Sequence, residues 1–284
     1  MQSLWMIVAS FFFACMGVCV KLAAVRFSAA EVVFYRSLIN LLFMIPLVLV
    51  RRIPVRTPLW RLHVLRSGSG CLGLMLYFYA LSLLPLASAV TLSYTSPLFL
   101  AIYLALSGKA RLQGGMVCAL VLGFLGVALL LRPSFGADQW LGGMIGLASG
   151  MVSGLAYLNV RELGARGEAE ERIVFYFALV STLVGATWML FFDFHPIDWE
   201  GGWLLLGVGT FGTAAQLVMT RAYKRGNTLV SASLAYSTVI FASLFGMLFW
   251  RETLSAAAWL SIALIVASGV ISSWLSRANP ADQD

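Results

Sequence analysis

The chain has 284 residues, of which 61% are hydrophobic and only 11% are charged, and its mean hydropathy is +0.90. A soluble domain carries about 45–50% apolar and about 25% charged residues, so this composition predicts an integral membrane protein and excludes secreted, disordered and nucleic-acid-binding proteins. The net charge of +7 comes from 19 basic and 12 acidic residues concentrated between long apolar runs. In a membrane protein, an excess of Lys and Arg indicates orientation in the bilayer and not a polyanionic partner.

Targeting and disulfide signals are both absent from the sequence pattern. The four cysteines, Cys15, Cys19, Cys71 and Cys118, lie inside apolar runs, so a disulfide framework is not expected. The first apolar stretch has no basic region before it and no small-residue cleavage site. We therefore interpret it as a retained membrane span and not as a signal peptide.

The apolar runs divide into ten windows of transmembrane length. A bilayer core about 30 Å thick requires about 20 apolar residues of helix, and the windows are bounded by charges, Pro and Gly. The predicted fold class is therefore all-α, with ten transmembrane helices, and the longest connectors are too short for a soluble domain. We call the windows spans 1 to 10; they cover residues 2–24, 29–50, 65–84, 87–107, 112–131, 140–160, 173–192, 202–222, 229–249 and 255–275.

The distribution of basic residues predicts the orientation. With ten spans, the termini and the loops after even-numbered spans share one side of the membrane, and this side carries 14 of the 19 Lys and Arg residues, counting Arg66 with the loop before span 3. The other side carries 4, and Arg36 lies inside span 2. Short cytoplasmic loops are enriched in Lys and Arg, so both termini are predicted to be cytoplasmic.

The two halves of the chain resemble each other weakly but in a constant order. This self-similarity predicts a duplication of five spans, with repeats at residues 1–135 and 136–284. Because five is odd, the second repeat would enter the bilayer from the opposite face, an arrangement that predicts a central cavity and alternating access. The matching segments are 33–35 with 174–176, 92–99 with 234–241, and 109–112 with 251–254.

Polar residues inside the spans predict the lining of this cavity. Tyr94 and its repeat counterpart Tyr236 each lie about seven residues from a span end, roughly 10 Å deep at about 1.5 Å per residue. Pro97 cannot donate a helical hydrogen bond and can loosen span 4, and nearby hydroxyls can bond the freed carbonyls. The alternative role for each polar group is to hold helices together. The candidate substrate-binding residues are Lys21, Arg36, Tyr77, Tyr79, Tyr94, Ser96, Pro97, Gln216, Thr220, Tyr236, Ser237 and Thr238.

Glycines recur every four residues along span 6, at Gly142, Gly146, Gly150 and Gly154. Residues at this spacing share one helix face, so they predict a stripe at which a neighbouring backbone approaches closely. We expect this stripe to have a packing role.

Charges inside the bilayer are candidates for function because each costs about 2.5–3.5 kcal/mol on insertion scales. Arg36 either anchors a substrate or forms a structural ion pair with Glu31 or Glu252, and Lys21 either points into the cavity or extends to the membrane surface. All twelve acidic residues lie in loops, tails or span ends. Without a carboxylate in mid-membrane, a proton-driven exporter of cations is not expected, and an anionic or zwitterionic solute fits better.

Three segments resemble the ten-span EamA family of the drug/metabolite transporter superfamily: 31–36, 79–97 and 249–254. The resemblance covers nearly the whole chain, although residues 108–112 lack the Glu expected in the first half. It implies a bacterial inner-membrane protein in which two inverted five-helix repeats surround a central cavity, with spans 5 and 10 peripheral. It also implies solute transport, with substrates in the family ranging from amino acids and vitamins to nucleotide-linked sugars and organic acids.

Other classes of function fit the sequence poorly. It has no HExxH helix and no P-loop, and its two histidines, His63 and His195, fall in predicted loops on opposite sides of the membrane. We therefore expect no enzyme, no cofactor and no metal site. The expected partners are a small-molecule substrate and the lipid bilayer, with the protein a monomer or homodimer. An exporter of neutral or aromatic amino acids or drugs is the main alternative, and a channel is a further one.

Overall fold

The structure is a computed structural model that describes residues 2–84, 86–108, 114–131, 139–191, 194–251 and 255–278. These residues form twelve α-helices, and a short 3-10 helix at Gln2–Leu4 precedes the first. The helices are α1 Trp5–Ala23, α2 Ala29–Val50, α3 Trp60–Leu83, α4 Leu86–Ser93, α5 Ser96–Leu106, α6 Gly114–Leu131, α7 Trp140–Ala165, α8 Glu170–Met189, α9 Trp199–Arg225, α10 Thr228–Ala235, α11 Ser237–Trp250 and α12 Ala256–Ala278.

These helices make ten membrane spans, because α4 with α5 forms span 4 and α10 with α11 forms span 9. Nine spans within the described residues are long and apolar enough to cross a bilayer. The tenth, α3, has 24 residues and is about 36 Å long at about 1.5 Å per residue. It is less apolar because its first turns carry Arg61, His63 and Arg66. The predicted all-α membrane architecture is confirmed.

The start of α3 differs from the prediction in a way that matters for the site. The helix begins at Trp60 and not at residue 65. Its first turns are held by packing, since His63 is fully buried and stacks on the ring of Tyr176 at 4.5 Å. The assignments of Arg66 to a cytoplasmic loop and of His63 to a loop were therefore wrong, because both lie in this helix. The strong bias of basic residues toward one side remains.

Spans 4 and 9 both break at the tyrosines that the repeat aligns. Helix α4 ends at Ser93 and α5 begins at Ser96, with Pro97 in its first turn, so the break leaves Tyr94 between the two segments. Pro97 removes a helical donor at this point. Span 9 breaks at Tyr236 without a proline, between α10 and α11.

The packing of the helices follows the proposed repeat. In the most extensive contacts, α3 packs on α7, α1 on α9, α6 on α12 and α2 on α8. In span numbers these pairs are 3 with 6, 1 with 8, 5 with 10, and 2 with 7. Exchanging each span for its counterpart in the other half, five numbers away, converts the pair 3 with 6 into the pair 8 with 1. The same exchange leaves the pairs 5 with 10 and 2 with 7 unchanged. This is the pattern expected of two equivalent halves. The matched segments 109–112 and 252–254 lie outside the described residues.

The glycine stripe of α7 receives span 4. An added Cβ at Gly150 would lie 2.7 Å from the carbonyl oxygen of Leu92, and one at Gly154 would lie 2.9 Å from that of Ser96. Gly142 and Gly146 face leucine side chains of the same region. The predicted close approach of a neighbouring backbone is confirmed, and the broken segment of span 4 rests directly on it.

Ion pairs join the two halves at the predicted outer end. Arg26, which follows α1, pairs with Asp198 and Glu200 at the start of α9. The Asp198 side chain also caps α9 by accepting from Gly201 N–H at 2.8 Å. This backbone hydrogen bond and the charge of Arg26 hold the pKa of the Asp198 carboxyl below its usual value. All of these charged side chains are more than one-third exposed.

A buried carboxylate joins the halves at the predicted inner end. Glu168, between α7 and α8, is 5% exposed and accepts hydrogen bonds from Thr57 and, at 2.6 Å, from Arg172. His63 Nε2 lies 3.4 Å from the same carboxylate. Burial opposes ionisation of Glu168, but the hydrogen bonds from Thr57 and Arg172 outweigh it, so the pKa of its carboxyl is below its usual value.

Glu168→Gln is expected to lower the free energy of unfolding near neutral pH by about 1.5–3 kcal/mol, the usual range for charged hydrogen bonds. Because the folded-state pKa of Glu168 is lowered, its stabilisation is complete above the unfolded value near 4.5 and is lost as the pH falls through the folded value. The difference in Tm between the two proteins in detergent should therefore shrink on acidification. Glu200→Gln is the control and should change Tm little, and a difference that persists in acid would contradict this assignment.

Cysteine labelling tests the orientation. Glu200→Cys, at a position whose side chain is 72% exposed, should react with an impermeant thiol reagent added to intact cells. Arg56→Cys, in the exposed connection between α2 and α3, should not react until the cells are opened. The four native cysteines should first be replaced by serine or alanine. Labelling in the reverse pattern would invert the assignment of the two ends.

Candidate substrate-binding site

Arg36 is the first charged group inside the membrane. It lies about 10 Å from the start of α2, at about 1.5 Å per residue. Its Nε is buried, and it has no hydrogen-bond partner among the described residues. The side chain passes Gly212 of α9, where an added Cβ would lie 3.2 Å from Nε. Across the described ranges, no carboxylate pairs with Arg36.

Glu31, one of the two acids considered as a partner of Arg36, has other partners. Ser28 begins α2 with a capping box, in which the Glu31 carboxylate accepts from Ser28 N–H at 2.7 Å. The same carboxylate accepts from the backbone N–H of His195 at 2.6 Å and lies 2.9 Å from His195 Nδ1. The suggested ion pair between Glu31 and Arg36 was therefore wrong. The other suggested partner, Glu252, lies outside the described residues.

Arg66 brings a second guanidinium into the interior. It is only 2% exposed, and its Nε and Nη1 have no hydrogen-bond partner among the described residues. The guanidinium lies 4.0 Å from the centre of the Phe177 ring in α8, which is a cation–π contact. Gly70, one turn further along α3, leaves the necessary space, since an added Cβ would lie 2.9 Å from Nη1.

The two arginines face the same interior region. Their charges are close enough to interact with each other, and both interact with the side chains of Tyr157 and Cys71. Arg36 comes from the outer half of α2, whereas Arg66 comes from the inner half of α3, so the side chains meet from opposite ends. We call Arg36, Arg66, Tyr157 and Phe177 the arginine site.

Four helices turn a face with one-turn spacing toward this region. Residues four apart lie on one side of a helix. The pairs are Arg36 and Asn40 on α2, Arg66 and Gly70 on α3, Phe177 and Ser181 on α8, and Gly212 and Gln216 on α9. The Ser181 hydroxyl lies close to the thiol of Cys71, whereas Asn40 Oδ1 and Gln216 Nε2 are buried without a partner in the described part of the chain. Buried polar atoms are normally bonded, so these atoms are available to a ligand or to water.

Five tyrosines lie together in this interior region, and one of them, Tyr157, also belongs to the arginine site. The rings of Tyr94 and Tyr236, at the two span breaks, are 6.3 Å apart, and those of Tyr157 and Tyr223 stack at 5.1 Å. Tyr77 interacts with Tyr94. The hydroxyls of Tyr223 and Tyr236 are buried and have no partner among the described residues. We call these five residues the tyrosine cluster, which offers aromatic faces and hydroxyl donors to a bound molecule.

Three of the predicted hydroxyl residues bond to their own backbone. Thr220, Ser237 and Thr238 donate to carbonyl oxygens three or four residues earlier, at 2.8, 2.6 and 2.9 Å respectively. Hydroxyls that satisfy a helix in this way support the alternative role of holding the helix together. Thr238 also lies close to the hydroxyl of Tyr94, a member of the tyrosine cluster.

The remaining predicted residues divide between the interior and the surface. Ser96 and Pro97 are buried at the start of α5, and Ser96 lies close to the hydroxyl of Tyr157. Tyr79 is 54% exposed, and Lys21 is exposed with its Nζ 4.0 Å from the centre of the Trp250 ring. The structure thus brings neither Tyr79 nor Lys21 into the arginine site, and a binding role for either stays a prediction.

Sequence reasoning missed Arg66, Tyr157 and Tyr223. Arg66 is the second residue of the predicted span 3 and was counted with the basic residues of the preceding loop. A usable signal was present, since His63, Ser67 and Gly70 recur with Arg66 at helical spacing and continue one face of span 3. Tyr157 and Tyr223 lie near the ends of their windows, where a tyrosine is typical of the membrane interface.

A buried polar site between two similarly packed halves, each of five spans, defines a membrane transporter. The chain belongs to the EamA-like transporter family, which matches residues 1–132 and 140–274. It is therefore an integral membrane protein and a secondary transporter, and not an enzyme.

Relatives with known names support this assignment. The chain is 31% identical to the pseudopaline exporter CntI of Pseudomonas aeruginosa over 266 residues, covering 93% of this chain and 90% of that protein. It is 27% identical to the aromatic amino acid exporter YddG of Ancylobacter novellus over 210 residues, covering 71% of each. A solved crystal structure has the same fold, with a TM-score of 0.87 and 20% identity over 97% of this chain and 98% of that one.

Proposed function

We propose that the protein exports or exchanges a small anionic or zwitterionic organic solute by alternating access between its two halves. The observation that carries this proposal is the position of Arg36. Its guanidinium is inside the membrane, lacks a carboxylate partner among the described residues, and faces unpartnered polar atoms of neighbouring helices. A guanidinium at such a place can hold a carboxylate or phosphate through charged, forked hydrogen bonds, which are stronger there than in water.

The cost of the empty site favours exchange. Each buried cation costs about 2.5–3.5 kcal/mol on insertion scales, and a bound anion offsets part of this cost. A half-to-half rearrangement with the site empty would enclose these uncompensated charges between closed ends, away from water. The loaded protein should therefore change conformation more readily than the empty one.

The tyrosine cluster supports the alternative substrate class. Its stacked rings fit an aromatic side chain, and one relative is an aromatic amino acid exporter. An aromatic amino acid is also zwitterionic, so the arginine site and the tyrosine cluster could act on different ends of one molecule. A purely neutral or cationic drug would leave both arginines unpaired and is disfavoured.

Counterflow in proteoliposomes tests the mechanism. Ligands are first found by a thermal-shift screen of the purified protein against metabolites, because a molecule that binds the folded state stabilises it. Vesicles preloaded with an unlabelled hit should then take up the labelled hit faster than empty vesicles, and uptake should saturate. Uptake without saturation or acceleration would indicate a channel, and a strict need for an imposed pH gradient without counterflow would contradict exchange.

A further inference from the structure

The arginine site holds two guanidinium groups with buried nitrogen atoms that lack a partner among the described residues, whereas the proposed function requires only one such group. Arg66 is buried to 2% exposure, and both its Nε and its Nη1 lack partners among the described residues. Arg36 contributes a buried, unpartnered Nε from another helix. Arg66 is close enough to Arg36 for the two positive charges to repel each other.

Two buried acidic residues of the neighbouring helices and loops, Glu31 and Glu168, already have other partners at the two ends of the membrane. Glu31 is bound to Ser28 and to His195 at the outer end. Glu168 is bound to Thr57 and Arg172 at the inner end. In the described parts of the protein, neither arginine has a carboxylate within ion-pair distance. The described side chains therefore leave a local charge of +2 at the site uncompensated.

The contact between Arg66 and Phe177 leaves the donors of Arg66 free. The Cζ atom of Arg66 lies 4.0 Å from the centre of the Phe177 ring, and the Nε and Nη1 atoms of the same guanidinium have no hydrogen-bond partner among the described residues. An aromatic face stabilises the cation without using a hydrogen bond. Phe177 also occupies, in the second repeat, the position that aligns with Arg36 in the first. Equivalent positions of the two repeats thus carry Arg36 in one half and Phe177 in the other, and α3 adds the second arginine, Arg66, which contacts the Phe177 ring.

From these observations we infer that the transported solute carries two negative charges, one held by Arg36 and the other by Arg66. This inference rests on the proposed function and deepens it by naming the charge of the substrate. A monoanion would neutralise one guanidinium and leave the other buried, unpaired and without its hydrogen bonds, which is the costly arrangement for a charge. A dicarboxylate or a phosphate monoester supplies the second anion, and its apolar part lies against the tyrosine cluster.

Matched ligand pairs that differ by one charge test the inference with the purified, full-length protein. The probes are succinate, glutarate and phenylsuccinate, each compared with its monoamide, together with phenyl phosphate compared with its methyl ester. A phosphate monoester has a second pKa of about 6, so phenyl phosphate is largely dianionic when the assay is run at mildly alkaline pH. Dissociation constants come from thermal-shift titrations and from inhibition of counterflow.

In the unmodified protein, at least one dianion should bind at least tenfold more tightly than its monoanionic partner. A preference for the dianion in the carboxylate pairs would identify a dicarboxylate site, and a preference in the phosphate pair would identify a phosphate site. Arg66→Gln should remove the preference by weakening only the dianion, and Arg66→Lys should keep much of it because the charge remains. Arg61→Gln is the matched control, since Arg61 lies on the exposed first turn of the same helix against Trp60 and should not alter the preference.

Gly70→Ala provides a second variant that retains both charges. The added methyl group would meet Nη1 of Arg66 and the ring of Phe177, so it should displace the guanidinium and reduce the dianion preference. This variant decides the matter if Arg66→Gln does not yield folded protein.

The outcomes separate the inference from the proposed function. Equal binding of dianions and monoanions, both dependent on Arg36, would overturn the inference and leave the proposed function standing. A dianion preference unchanged in Arg66→Gln or in Gly70→Ala would also overturn it, as would failure of every dianion to bind. Binding of only neutral or cationic ligands would overturn both.

Discussion

Arg36→Gln is expected to weaken binding of an anionic or zwitterionic ligand by about 1.5–3 kcal/mol, which is roughly tenfold or more in Kd. The substitution removes the fixed charge and part of the forked donor set while keeping a polar side chain of similar length. Arg36→Lys should restore binding only in part, because an ammonium lacks the planar fork. Titration of the purified variants with a ligand from the thermal-shift screen measures the effect.

The design of this experiment separates binding from folding. Arg61→Gln removes an exposed arginine from the start of α3 and should leave Kd unchanged. If Arg36 were a structural partner of Glu31, any loss of stability in Arg36→Gln would be restored by adding Glu31→Gln. Because the Glu31 carboxylate is bound by Ser28 and His195 instead, we expect no such restoration. Unchanged ligand affinity in a well-folded Arg36→Gln protein would end the role of Arg36 as an anchor. The binding site would then be sought among Tyr94, Ser96, Gln216 and Tyr236.

Gly150→Ala is expected to destabilise the protein by about 1–3 kcal/mol, the usual cost of overpacking a close contact. The new methyl group would lie 2.7 Å from the carbonyl oxygen of Leu92, a backbone atom that cannot rotate away, and still closer to Thr95 Oγ1. Span 4 must then move off α7 at its break, which carries Tyr94. Transport should fall together with the Tm in detergent.

Gly143→Ala is the matched control, because it makes the same substitution near the start of the same helix, where the added methyl group meets no neighbour. Nothing lies within 4 Å of the Cβ that would be added there. Alanine is the better helix former by up to about 1 kcal/mol, so this variant should be as stable as the parent or slightly more stable. Equal melting temperatures for the two variants would show that span 4 does not rest on the stripe.

The parts of this protein that follow from helix periodicity could be predicted from its sequence. The ten spans, the broken span at Pro97 and the glycine stripe of span 6 each depend on neighbours within one helix, and all three are present. To predict that Tyr94 and Tyr236 lie together, only the alignment of the two repeats was needed besides helix periodicity.

The composition of the arginine site depended on information that a single sequence does not contain. Arg66 is at the inner end of its helix, where an arginine normally serves as a loop charge, and only the packing of α3 on α7 and α8 makes it internal. The partner of Glu31 is a residue 164 positions away, His195, so no local pattern could show that Arg36 lacks this acid. Long-range contacts of this kind decide which charges are paired.

The two ends of the protein differ in how their interhalf ion pairs respond to the surrounding medium. The outer pairs of Arg26 with Asp198 and Glu200 lie in water, where mobile ions at about 0.15 M already screen charges beyond about 8 Å. The inner carboxylate of Glu168 has a side chain that is only 4% exposed, so dissolved ions reach it poorly. Raising the ionic strength should therefore loosen the outer end selectively. In the proposed alternating-access cycle, salt concentration would then shift the balance between outward-facing and inward-facing forms without altering a single residue.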